Sequence, residues 1–292
     1  MSPLRTATRA ASDAETGSTG STRRAGGSDI GSRIVFALPL IALALFLVIE
    51  GGAVFAAGIF LIGCVCMHEL YGMYERTNPV RLAGFLALAG LIVAALYGSP
   101  THPTQVLLAA SVVLPVLFAM TLAQRRPSVG GMAITLLGIY WIGFGLAHAV
   151  LLRELPHGNG IVIDVLVGTF LGDTGAYLGG RLFGRRPLAP SISPNKTVEG
   201  LVIGAFCAIV AVWFASLYQP WFQKGDAVLL GVGVAIAAPI GDLFESYIKR
   251  EAGVKDSGRA FGAHGGALDR LDAVLFTTVV GYYAWLAILS HG

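Results

Sequence analysis

Four acids lie where acids are expensive. Asp164, Asp173, Asp242 and Glu245 fall inside long apolar runs, and a charged side chain at the centre of a bilayer costs about 3 kcal/mol or more. Asp164 sits near the end of its run and reads as an interface residue. Asp173 precedes Arg181 by eight residues, roughly 12 Å of helix, and Asp242 precedes Lys249 by seven, roughly 10 Å. Two acids on different helices at similar depth point to one shared polar cavity. Asp242, Glu245, Ser246 and Lys249 follow i, i+3, i+4, i+7 spacing, so they share one helical stripe. A Glu245–Lys249 ion pair at i, i+4 accounts for two of them and leaves Asp242 to a functional reading.

Two basic loops flank these acids. The first carries Arg181, Arg185, Arg186 and Lys196, with Ser193-Pro194-Asn195-Lys196-Thr197 just before the next apolar run. Ser followed by Pro predicts a helix start with Ser193 as N-cap. Such an N-terminus, with Lys196 and the Ser193 and Thr197 hydroxyls, suits a phosphate. An ordinary capped helix explains the same residues equally well. The second loop holds Lys249, Arg250, Lys255, Arg259 and Arg270 with Asp256, Asp269 and Asp272, around His264-Gly265-Gly266. Asp269 and Asp272 share a helix face at i, i+3, and acids there also satisfy the helix dipole. Carboxylates that hold Mg²⁺, set among Lys, Arg and Gly, are what polyphosphate chemistry requires. Neither a G-x-x-x-x-G-K-[ST] loop nor H-E-x-x-H occurs, which disfavours a P-loop ATPase and a zinc protease.

The elements that must carry these residues are membrane helices. The chain has 292 residues, 55% hydrophobic and only 13% charged, about half the charge of a soluble domain. This excludes a soluble globular enzyme and a wholly disordered chain. A net charge of +3, spread over short loops, leaves no nucleic-acid footprint. Cys64, Cys66 and Cys207 all sit in apolar runs and read as small buried hydrophobes. Nine spans are expected, at 34–49, 53–68, 82–98, 104–123, 131–152, 160–181, 199–219, 227–248 and 272–289, in an all-α polytopic fold. Residues 1–33 read as a disordered cytoplasmic tail, 34–152 as five N-terminal spans, and 153–292 as a catalytic region of four spans and two long loops. Alternate loops carry 18 of the 20 Lys and Arg, leaving Arg153 and Lys224 opposite. The positive-inside rule then puts the N-terminus and both basic loops in the cytoplasm and the C-terminus outside.

The residues in these loops resemble the phosphatidate cytidylyltransferase (CDP-diacylglycerol synthase) family. The family's signature S-x-x-K-R-x4-K-D, then H-G-G-x-x-D-R-x-D, is matched by Ser246, Lys249-Arg250, Lys255-Asp256, His264-Gly265-Gly266, Asp269-Arg270 and Asp272. Gly172-Asp173-Thr174, Ala176-Tyr177, Gly180-Arg181 and the stretch Ser193 to Gly200 also match. Ala267 departs from the pattern, where a larger apolar residue is usual. The resemblance covers roughly 168–272; the first five spans share only hydropathy and length with the family.

It implies a bacterial plasma-membrane enzyme, homodimeric and Mg²⁺-dependent. Such an enzyme joins CTP and phosphatidic acid into CDP-diacylglycerol and pyrophosphate in a cytoplasm-facing cavity. The family's paired metal-binding acids match Asp242 and Asp269. Asp173 and Asp272 are then expected as second ligands or orienting groups, and Lys196, Lys249, Arg250, Lys255 and Arg270 as phosphate binders. His264 is expected to orient the leaving pyrophosphate. Ser193, Asn195, Thr197, Ser246, Asp256, Gly265 and Gly266 complete the expected substrate contacts. The rivals are a CDP-alcohol phosphotransferase, whose D-G-x2-A-R-x8-G-x3-D-x3-D pattern is absent, a CTP-dependent polyprenol kinase, and an ion-coupled transporter carrying ions on Asp173 and Asp242.

Overall fold

Long apolar runs with few charges fold as helices, because a helix satisfies its own backbone where no water can. A computed structural model describes residues 28–98, 128–258 and 265–291. It divides into a short unit, Met1–Leu40, and a main body, Ile41–Gly292. The helices are α1 (Ser28–Glu50), α2 (Gly52–Met73), α3 (Arg81–Tyr97), α4 (Val129–Glu154), α5 (Gly158–Phe183), α6 (Val198–Ser216), α7 (Lys224–Glu251) and α8 (Leu268–His291). Among the described residues six of them, α2 and α4 to α8, are long and apolar enough to cross a membrane. That is fewer than the nine expected. Helix α3 has 17 residues, about 25 Å at 1.5 Å per residue, at the lower limit of the length that spans a bilayer. Helix α1 has 23 residues and is described in side-chain detail only from Leu38 on. The expected span 104–123 lies outside the described residues. Helix α1 begins at Ser28, inside the stretch expected to be tail.

The all-α expectation also needs one correction. A two-stranded antiparallel hairpin, β1 (Pro187–Ala189) and β2 (Ser193–Thr197), follows α5. Ser193 therefore does not start a helix: it pairs with Ala189 as Pro187 pairs with Thr197. The residue before a proline is pushed towards extended backbone, and Ser193 precedes Pro194. The N-cap is Thr197, in extended conformation, whose Oγ1 accepts from the Gly200 N–H at 3.1 Å. The Glu199 carboxylate accepts the Arg185 and Arg186 backbone N–H groups at 3.0 and 3.2 Å. The hairpin is thereby tied to the first turn of α6.

Small residues set the helix spacing. A Cβ on Gly204 of α6 would lie 2.7 Å from the Ala176 Cβ of α5 and 2.8 Å from the Gly172 carbonyl. Only glycine admits this approach, the expected use of small residues between membrane helices. A Cβ on Gly241 of α7 would lie 2.9 Å from the Phe276 ring and 3.1 Å from Ala273 Cα of α8. This brings Asp242 up against the start of α8. Helix α4 is the most buried of the six. It widens into a π turn at Gly138–Gly143, where Trp141 meets Phe244 of α7 edge-on at 4.9 Å. Its Gly145 carbonyl accepts from Thr278 of α8 at 3.1 Å.

Asp164 is held by a residue of the loop that follows α6. It is fully buried, and the Gln219 amide donates to its Oδ1 at 2.9 Å.

Candidate functional site

The site is assembled by α5, the hairpin, α7 and α8, with a contribution from α2. Strand β2 delivers Lys196 onto Asp242 of α7, where the two form an ion pair. Asp242 is thus not left alone beside a Glu245–Lys249 pair. One turn further, Lys249 Nζ lies 2.5 Å from Glu245 and 2.7 Å from Asp269 Oδ1 of α8. The i, i+4 pair read from spacing is therefore present, but it is one arm of a three-residue bridge between helices. Asp173 of α5 lies within electrostatic reach of Asp242 and Lys196, and Asp272 of Asp242, Asp173 and Lys249. Asp173 and Asp242, on different helices, thus lie close enough to interact.

Asp269 is the most heavily bonded acid of the set. Besides Lys249, it accepts the Ser257 N–H at 3.0 Å and the Gly266 N–H at 2.7 Å on Oδ2. Gly265 has φ +88°, a left-handed conformation that glycine adopts without strain. This turn aims the Gly266 N–H at the carboxylate. At the end of α7, Arg250 Nε donates to the Ile192 carbonyl in the hairpin turn at 3.3 Å. Both basic loops are thus joined on one side of the cluster. Lys255, Asp256, Asn195 and Arg270 are exposed around it, and Ser193, Thr197 and Ser246 are half-buried. His264 and Arg259 lie outside the described residues.

Two residues of this site were missed by sequence reasoning. Glu69 of α2 is buried and receives bonds from Ser257 Oγ–H and from the Ala267 and Leu268 N–H groups. The second span was expected to end at 68, so Glu69 was set in a loop. Leu70 and Tyr71 continue the apolar pattern, and the helix runs to Met73. Tyr74, just beyond it, has its hydroxyl 3.0 Å from the Ile248 carbonyl and against the Glu251 carboxylate of α7, and its one proton goes to one of these two acceptors. Burial, and then the Glu251 carboxylate, push its phenol above the usual tyrosine range.

Chemically, the cluster pairs buried and half-buried acids with lysine ammonium groups. Asp242 and Asp269 each hold an ammonium, on helices that approach closely. Among the described residues no three His, Cys, Asp or Glu side chains form a metal cage. Mg²⁺ at a polyphosphate site needs none, because it binds one or two carboxylates and completes its shell with water and substrate phosphates. Glu245 Oε1 is buried with no hydrogen-bond partner among the described residues. It leaves a lone pair for a further cation or proton. The donor set therefore fits a divalent ion bound together with a nucleotide.

Residues 31–288 match the Cytidylyltransferase family. The chain is 35% identical over 247 residues to a phosphatidate cytidylyltransferase of Staphylococcus aureus, covering 81% of this chain and 92% of that protein. Proteins of the same name from Staphylococcus saprophyticus and Staphylococcus epidermidis are each 33% identical, over 246 and 245 residues, with the same coverage.

Proposed function

The chain belongs to the cytidylyltransferase family and joins CTP to phosphatidate, giving CDP-diacylglycerol and pyrophosphate; from that premise we propose how its residues divide the work. The observation that carries the proposal is the pair of lysine-occupied carboxylates, Asp242 and Asp269, on adjacent helices. These two acids hold Mg²⁺, with Asp173 and Asp272 as further ligands or orienting groups. Mg²⁺ bound there neutralises triphosphate charge and orients the α-phosphoryl group.

The acceptor is a phosphate monoester, mostly dianionic at neutral pH because its second pKa is about 6. One of its oxygens forms a bond to the α-phosphorus of CTP while the bond from that phosphorus to the β-phosphate oxygen breaks. No strong general base is needed. The barrier is the approach of one anion to another, so positioning and charge neutralisation carry the catalysis. Lys196, Lys249, Arg250, Lys255 and Arg270 bind phosphates, and His264 orients the departing pyrophosphate. Ser193, Asn195, Ser246, Asp256 and the Gly265-Gly266 backbone line the substrate sites, and Thr197 holds β2 against α6. Lys196 and Lys249 already sit on the acids, so both lysines exchange a carboxylate for a phosphate when substrate arrives.

The 18-to-2 distribution of Lys and Arg supports nine spans in a bacterial plasma membrane, with the N-terminus and the site facing the cytoplasm and the C-terminus outside. The family resemblance supports a homodimer. The test of the site is purified protein in detergent with radiolabelled CTP and phosphatidate, with and without Mg²⁺. CDP-diacylglycerol and pyrophosphate should appear one for one and only with the metal. Asp242→Asn and Asp269→Asn should each lower turnover by about a hundred- to a thousandfold. Near wild-type turnover in either variant removes that acid from the metal site.

A further inference from the structure

We propose that Glu69, in the N-terminal half of the chain, is a positioning residue for the metal-binding carboxylate Asp269; the inference rests on the assignment of Asp269 above. Among the described residues Glu69 forms no hydrogen bond with an acid of the cluster; its partners are Ser257, Ala267 and Leu268. It does touch the residues that hold one of those acids. Ser257 Oγ–H donates to Glu69 Oε2 at 3.2 Å, while the Ser257 backbone N–H donates to Asp269 Oδ2 at 3.0 Å. Ala267 N–H donates to Glu69 Oε1 at 3.1 Å and Leu268 N–H to Oε2 at 2.9 Å. Gly266, the residue before them, donates its N–H to Asp269 at 2.7 Å.

The arrangement is a helix cap supplied from another helix. The first N–H groups of a helix have no partner within it, and a carboxylate at that end is favoured by the dipole. At the start of α8 two acids share the task. Asp269 takes Gly266 and Glu69 takes Ala267 and Leu268, with Ser257 bonded to both. Moving Glu69 therefore moves both backbone donors that set the direction of Asp269.

The packing supplies a second, independent observation. A Cβ on Gly266 would fall 2.7 Å from Glu69 Cδ, and a Cβ on Gly258 would fall 2.7 Å from Glu69 Cγ. Both glycines are places where backbone closes directly over the Glu69 side chain. An acid merely satisfying a buried helix end would need neither the Ser257 link nor this fit from both sides.

The test measures metal binding without turnover, on the full chain in detergent, by the electron paramagnetic resonance signal of free Mn²⁺. Glu69→Gln keeps the shape but replaces one acceptor by a donor, facing N–H groups that also donate. Mn²⁺ should bind about tenfold more weakly, the loss expected for one charged hydrogen bond. Ser257→Ala, which keeps its N–H, should weaken binding about threefold and serves if Glu69→Gln does not fold. Asp269→Asn is the reference. If it abolishes Mn²⁺ binding while folded Glu69→Gln binds as wild type, with only a lower melting temperature, Glu69 is structural and the inference fails. Wild-type affinity in Ser257→Ala fails it likewise. If Asp269→Asn itself binds Mn²⁺ normally, the metal assignment falls and takes the inference with it.

Discussion

Lys249 is the most informative single residue to remove. Its ammonium lies 2.5 Å from Glu245 and 2.7 Å from Asp269, and the three side chains are 14%, 2% and 13% exposed. An exposed ion pair contributes about 0–1 kcal/mol. Removing one partner of a buried pair costs about 3–5 kcal/mol, because the remaining charge is left desolvated without compensation. Lys249→Met keeps the length and removes the charge, so it belongs in the second class. Glu245→Gln removes the more buried acid of the bridge and leaves Lys249 its bond to Asp269, so it should cost less. In the double variant only Asp269 retains a charge, and it keeps the Ser257 and Gly266 N–H groups as donors. The double variant should therefore be more stable than the sum of the single losses, by about 1–3 kcal/mol of coupling. The measurement is reversible unfolding by sodium dodecyl sulphate in mixed micelles, followed by tryptophan fluorescence. A Lys249→Met cost below about 1 kcal/mol, or strict additivity in the double variant, refutes the buried bridge. Activity gives an independent reading. Stability regained in the double variant should come without turnover, since the phosphate-binding cation stays absent.

Thr197→Val removes the oxygen that caps α6 while keeping the branched shape, so it should cost about 1 kcal/mol of stability. It should also raise the KM for CTP, because β2 carries Lys196; an unchanged unfolding midpoint and KM would show that the hairpin is held by other contacts. In a background with Cys64, Cys66 and Cys207 changed to Ala, a cysteine at Gln223 should react with an impermeant thiol reagent from outside intact cells, and one at Ser191 should not. Labelling at Ser191 would reverse the proposed orientation and place the site on the wrong side of the membrane for CTP.

Much of this protein is dictated locally. Hydropathy alone demands helices, because the backbone of an apolar run has no other way to satisfy its hydrogen bonds in lipid. Acids within those runs are candidates for a site, because their desolvation must be offset by a partner; Asp164, bonded to Gln219 away from the cluster, is the exception. Hence Asp173, Asp242 and Glu245 are legible from the chain, and the register of Ser246 to Asp272 points to the chemistry. Which cation meets which acid is not local. Asp242 has Ser246 and Lys249 on its own helical stripe, yet its partner is Lys196, delivered by a hairpin across the cluster. The hairpin itself was read as a helix start. Ser193-Pro194 and Thr197 are both acceptable caps by composition, and strand pairing with Pro187–Ala189 decides between them. Glu69 was hidden for the same reason. Its meaning comes from N–H groups about 200 positions away in the chain, and only the packing of α2 against the start of α8 brings that acid to those donors.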